Sequence, residues 1–85
     1  MEILFTFMRT HDAIQAEQLL LDAEFDVKVM SLPSSVRAGC GICLRLPPKQ
    51  AERAGAALAD GGILVESVWR REDGVYTQKG DGGFG

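Results

Sequence analysis

The hydrophobic residues of this chain change period repeatedly, and the order of those changes is what most constrains its fold. From Glu2 to Met8 the period is two, with Ile3, Phe5 and Phe7 on one face and Leu4, Thr6 and Met8 on the other. Apolar residues on both faces suit a central strand. Through Glu24 the spacing becomes helical: Ala13, Ala16, Leu20 and Ala23 recur on one side, flanked by Ile14 and Leu21. Thr10 is the expected cap of this helix, and Asp12 in its first turn complements the helix dipole. Alternation returns at Val27–Met30 and again at Ile42, Leu44 and Leu46, which are interleaved with Cys43 and Arg45. Pro47-Pro48 then opens an alanine-rich helix through Asp60, where a missing N–H costs nothing, and Gly61-Gly62 supplies a left-handed cap. Ile63–Trp69 reads as a last strand.

Strand, helix, strand, strand, helix, strand predicts an α+β ferredoxin-like sandwich. Its four-stranded antiparallel sheet would have the first and third strands at the centre and both helices on one face. Ile3, Phe5, Phe7, Val27, Val29, Ile42, Leu44, Ile63 and Val65 are then expected to face the helices. Leu4, Met8, Met30, Cys43, Leu64 and Val68 would line the other face. An apolar face of that kind calls for a cover. A homodimer through the open face is the expected cover, with Tyr76 or Phe84 of the tail as the alternative. Eighty-five residues allow a single domain with thin stability. The expected boundaries are a folded domain over residues 1–71 and a flexible glycine-rich tail over residues 72–85.

The stretch Leu32–Arg45 holds the most promising chemistry. Pro33, Ser34 and Ser35 favour a turn. Gly39 and Gly41 bracket Cys40, so its thiol is expected to be poorly shielded. Chain topology brings the Met8–His11 turn and Gly61-Gly62 to the same end of the sheet as this loop. A helix N-terminus and nearby cations favour the reactive thiolate. Arg37 is the closest cation in sequence, and Arg9 and His11 come from the neighbouring turn. Together with Gly39 and Gly41 they form the expected anion-binding set. Cys43, in mid-strand, reads as a small hydrophobe or a second thiol. His11 reads as a surface residue, and Arg45 as either solvated or an anion contact. No metal site is expected, since Cys40, Cys43 and His11 fall short of the four ligands structural zinc requires. No cofactor-binding motif is apparent.

Pro33, Arg37 and Cys40-Gly41, leading into the strand with Arg45, resemble the putative selenium/sulfur carrier protein-like family. Phe5-Thr6-Phe7, Thr10-His11-Asp12-Ala13 and Glu17 are similar to the family's strand-to-helix start. The resemblance runs from about Ile3 to Trp69. It departs from the family pattern at Leu32, Ser34 and Cys43. It implies a carrier or accessory protein rather than a stand-alone enzyme. Cys40 would hold sulfur or selenium as a persulfide or selenenyl-sulfide, exchanged with donor and acceptor proteins of sulfur or selenium metabolism. Two other readings stand beside it: a regulatory or assembly module without covalent chemistry, and a dithiol redox protein using Cys40 and Cys43 as a C-x-x-C pair.

Charge narrows the partners. Nine basic residues against twelve acidic ones give a formal charge of −3, which argues against nucleic acid, whose phosphates reward a basic excess. No run reaches membrane-spanning length, and Ile3–Met8 is too short for a signal core. A cytoplasmic setting, with reduced thiols, is the expectation.

Overall fold

The computed structural model describes residues 1–81. In chain order the elements are β1 (Glu2–Thr6), α1 (Thr10–Asp22), β2 (Lys28–Ser31), β3 (Ile42–Leu46), α2 (Pro48–Asp60), β4 (Ser67–Glu72) and β5 (Val75–Asp81). They form a five-stranded antiparallel sheet in the order β2-β3-β1-β4-β5, with two helices. The expected count of four strands is thereby corrected to five. Residues 75–81, read from sequence as flexible tail, pair with β4 from Val75 opposite Glu72 to Asp81 opposite Ser67. Phe84 lies outside the described residues.

Alternation along β1 places Ile3 and Phe5 against the helices, and Phe7 just beyond the strand end joins them, as the pattern required. They share one core with Ala13, Ala16 and Leu20 of α1, Ala51, Ala54 and Leu58 of α2, and Leu44 and Leu46 of β3. Small alanines on both helices let the backbones approach the sheet closely. Both helices end in the same hydrogen-bonded motif. At α2, Ile63 N–H donates to Leu58 O (2.9 Å) and Gly62 N–H to Ala59 O (3.0 Å), with Gly62 at φ 76°. At α1, Phe25 N–H donates to Leu20 O (2.9 Å) and Glu24 takes the left-handed position at φ 66°. The cap at the start of α1 differs from expectation. Arg9 occupies that position without a side-chain bond, and Thr10 is already helical.

A second correction concerns the last strand predicted from sequence. β4 begins at Ser67, not Ile63, because residues 63–66 run irregularly from the α2 cap to the sheet. The register pairs Phe5 with Val68 and Leu4 with Trp69. Val68 therefore joins the helix-side core, and Ser67, Trp69 and Arg71 take the other face. A shift of one residue exchanges the faces of a strand, which is why an error at its start inverted the assignment. Leu64, expected on the open face, sits before the strand and is 82% exposed. Met8 is exposed in the turn after β1.

The open face is also less open than predicted. Leu4 and Cys43 lie on it yet are fully buried. Val36, from the β2–β3 connection, is 3% exposed and lies outside the helix-side core, as Leu4 and Cys43 do. Ser35 and Arg37 of the long β2–β3 loop border the same cleft as Ser67 and Trp69, so the loop lies against this side of the sheet. The burial of Leu4 and Cys43 weakens the incentive on which the expected homodimer was argued, and Tyr76 of the alternative tail cover does come to this face, opposite Arg71 in β5.

A candidate functional site at the cysteine loop

The β2–β3 loop is closed at its neck by Leu32 N–H donating to Gly41 O (3.0 Å). Inside it, Val36 N–H donates to Pro33 O (3.0 Å), completing the turn that Pro33, Ser34 and Ser35 announce. Its far limb is stitched to the end of β1, where Cys40 N–H donates to Phe7 O (3.2 Å). Gly39 makes the approach possible. A Cβ at that position would fall 2.8 Å from Met8 Cα and 2.9 Å from the Met8 carbonyl carbon, distances that real side chains do not tolerate. Gly41 is different: a Cβ there would meet nothing within 4 Å.

This stitching buries the cysteine that the sequence suggested was poorly shielded. Cys40 is 6% exposed, belongs to the helix-side core, and its Sγ–H donates to Ile42 O (3.0 Å). The cause is the backbone bond to Phe7, which draws Cys40 down over the edge of the core. Cys43 is wholly buried on the other face, opposite Thr6 and Met30. Burial, and then the neighbouring Cys40, push its thiol up to about 11. Both thiols are free.

The expected cations are only partly gathered. The backbones of Phe7 and Met8 do meet the cysteine loop, as topology predicted. Arg9, however, directs its guanidinium to Asp12 (3.3 Å), with its side chain 77% exposed. His11 is exposed on the first turn of α1, and Arg37 is exposed on the loop. Gly61 instead packs on α1, where a Cβ would fall 2.5 Å from Leu19 Cδ1, and among the described residues no hydrogen bond ties it to the cysteine loop. Arg45 is committed elsewhere, with its Nε 3.0 Å from Glu2, whose other oxygen binds Arg71 at 2.7 Å. Among the described residues no group of three His, Cys, Asp or Glu side chains gathers as a metal site.

Sequence reasoning missed the residue that latches the loop. Glu66 Oε1 accepts the Gly39 N–H (3.1 Å) and the Thr6 hydroxyl (3.5 Å). Glu66 N–H in turn donates to Thr6 O (2.8 Å). Thr6 Oγ1 is hydrogen-bonded to Ser67 Oγ, which accepts the Trp69 indole N–H (2.9 Å). Since the indole can only donate, a consistent chain of donors runs from Trp69 through Ser67 and Thr6 to Glu66. No local signal marked Glu66, because its partners lie 27 and 60 residues away.

The features above define a small α+β domain whose cysteine loop is clasped between the end of β1 and the start of β4. The chain belongs to the putative Se/S carrier protein-like family, whose model matches residues 2–70, from β1 through the cysteine loop into β4. It is also 32% identical over 75 residues to the uncharacterized protein YtiA of Escherichia coli (strain K12), across 88% of this chain and 85% of that protein. No solved structure matches it. No helix of the described residues is long and apolar enough to cross a membrane.

Proposed function

We propose that this protein carries sulfur or selenium on Cys40, receiving it from one protein and passing it to another. The observation that carries the reading is the family match, which spans the whole cysteine loop. Cys40 Sγ, as thiolate, attacks the outer sulfur of a donor persulfide. The new S–S bond forms as the donor's own S–S bond breaks, and the donor sulfur leaves as thiolate. Cys40 then bears the persulfide, or with selenium the selenenyl-sulfide, and an acceptor nucleophile takes the chalcogen in the reverse sense. Because Cys40 is buried at rest, loading requires the loop to lift locally, breaking the bonds of Gly39 to Glu66 and of Cys40 to Phe7. β1 to β4 with both helices are read as a ferredoxin-like unit lengthened by β5.

A dithiol mechanism is less well supported. Cys40 packs in the helix-side core while Cys43 lies on the opposite face, its thiol held protonated at neutral pH. Intact-mass measurement after incubation with a persulfide donor tests the proposal. A sulfur adduct is expected in the native protein and in Cys43→Ala, and none in Cys40→Ala. An adduct surviving in Cys40→Ala, or an internal disulfide in its place, would overturn the assignment.

A further inference from the structure

The loop does not lie flat on the sheet. Between it and the β4–β5 hairpin is a cleft of about 420 Å³, lined by Ser35, Arg37, Glu66, Ser67, Trp69 and Gln78. Two opposite charges border this cleft without pairing. Arg37 has no ion pair or hydrogen bond among the described residues. Glu66 commits Oε1 to Gly39 and Thr6, while its Oε2 accepts no hydrogen bond among the described residues. A simple anion would be repelled by Glu66 and a simple cation by Arg37. A ligand carrying both charges satisfies both groups. Trp69 supplies a third element, for its indole N–H is tied to Ser67 and its ring orientation is thereby held.

We propose that the cleft binds a free α-amino acid with an apolar side chain. Its carboxylate sits on the Arg37 guanidinium, which suits planar carboxylates. Its ammonium sits on Glu66 Oε2, and its side chain lies against Trp69. A cleft of this volume lies at the small end of the usual ligand-site range, which suits a free amino acid. The inference goes beyond the carrier reading and does not depend on it.

Trp69 is the sole tryptophan, so its fluorescence reports on the cleft directly. The titrant is L-methionine, which does not react with thiols, compared with N-acetyl-L-methionine and L-methioninamide, each lacking one charge. The full chain is used, with no sulfur or selenium donor. A saturable change with L-methionine is expected, with each capped compound at least about tenfold weaker, equivalent to about 1.4 kcal/mol. Arg37→Gln, at an exposed position, is expected to weaken L-methionine and to abolish the discrimination against methioninamide. No saturable change, or equal responses to capped and uncapped compounds, would overturn the proposal. Such a result leaves Cys40 loading untouched, and failure of Cys40 loading leaves the cleft untouched.

Discussion

Gly39 and Gly41 flank the same cysteine, yet packing requires only the first. Gly39 abuts the Met8 backbone, which cannot yield as a flexible side chain would, whereas Gly41 faces open space. Gly39→Ala is expected to destabilise the fold by about 1–3 kcal/mol, the scale of overpacking, and Gly41→Ala by less than about 0.5 kcal/mol. Chemical denaturation of the two variants checks this, and equal losses would contradict it. Cys43 carries a pH effect of definite sign. Its thiol ionises near 9.0 in the unfolded chain but at about 11 in the fold. Between these values the unfolded state holds fewer protons than the folded one, so stability falls as pH rises. The loss is about 1.4 kcal/mol per pH unit across that window and absent below it. Denaturation midpoints at pH 8 to 11 should show this component in the native chain and not in Cys43→Ala, on the order of one pKa unit's energy per step.

Among the elements, the β4–β5 hairpin is the instructive one. Asp73 and Gly74 both have positive φ, 53° and 78°, which is the two-residue turn whose twist matches antiparallel strands. Asp-Gly between alternating residues is a strong hairpin signal. The glycine-rich composition of residues 72–85 points to a tail, whereas the turn at Asp73-Gly74 starts a strand. The hairpin matters beyond its own pairing, because Arg71 bridges to Glu2 and sits 6.0 Å from the Tyr76 ring centroid. Gly74→Ala forces a Cβ into left-handed backbone and is expected to cost about 1 kcal/mol. The thermal midpoint should drop accordingly. An unchanged midpoint would mean that β5 adds little to the fold.

For the whole molecule, the decisive contact is the loop laid over the sheet. Leu4 and Cys43 are fully buried on that face and Val36 of the loop is buried too, so that face offers a second copy little apolar surface. The large apolar residues that remain exposed, such as Ile14, Leu21 and Leu64, do not share that face. The full chain is therefore expected to sediment as a monomer at micromolar concentration. Val36→Asp is expected to unmask the face and to raise Cys43 alkylation. A dimer of the native chain would locate association on another surface, and unchanged Cys43 labelling in the variant would show that Val36 is not the cover.

Local pattern was enough for β1, β3, both helices and the turn at Pro33–Val36, because period, proline and glycine act within a few residues. It also identified the Cys40 loop as the place where the turn after β1 and the β2–β3 connection meet. The start of β4, the side on which Val68 packs, and the latch at Glu66 could not be read this way. Each depends on which strand lies opposite, and Thr6 finds Glu66 and Ser67 across 60 and 61 residues of chain. The same holds for Cys40. Its neighbours in sequence argue for exposure, but a backbone bond to Phe7 and the close approach at Met8 bury it. Sequence alone determined the elements and the cysteine-bearing loop. Only tertiary structure decided how that loop is covered and latched, because burial is set by distant segments brought into contact.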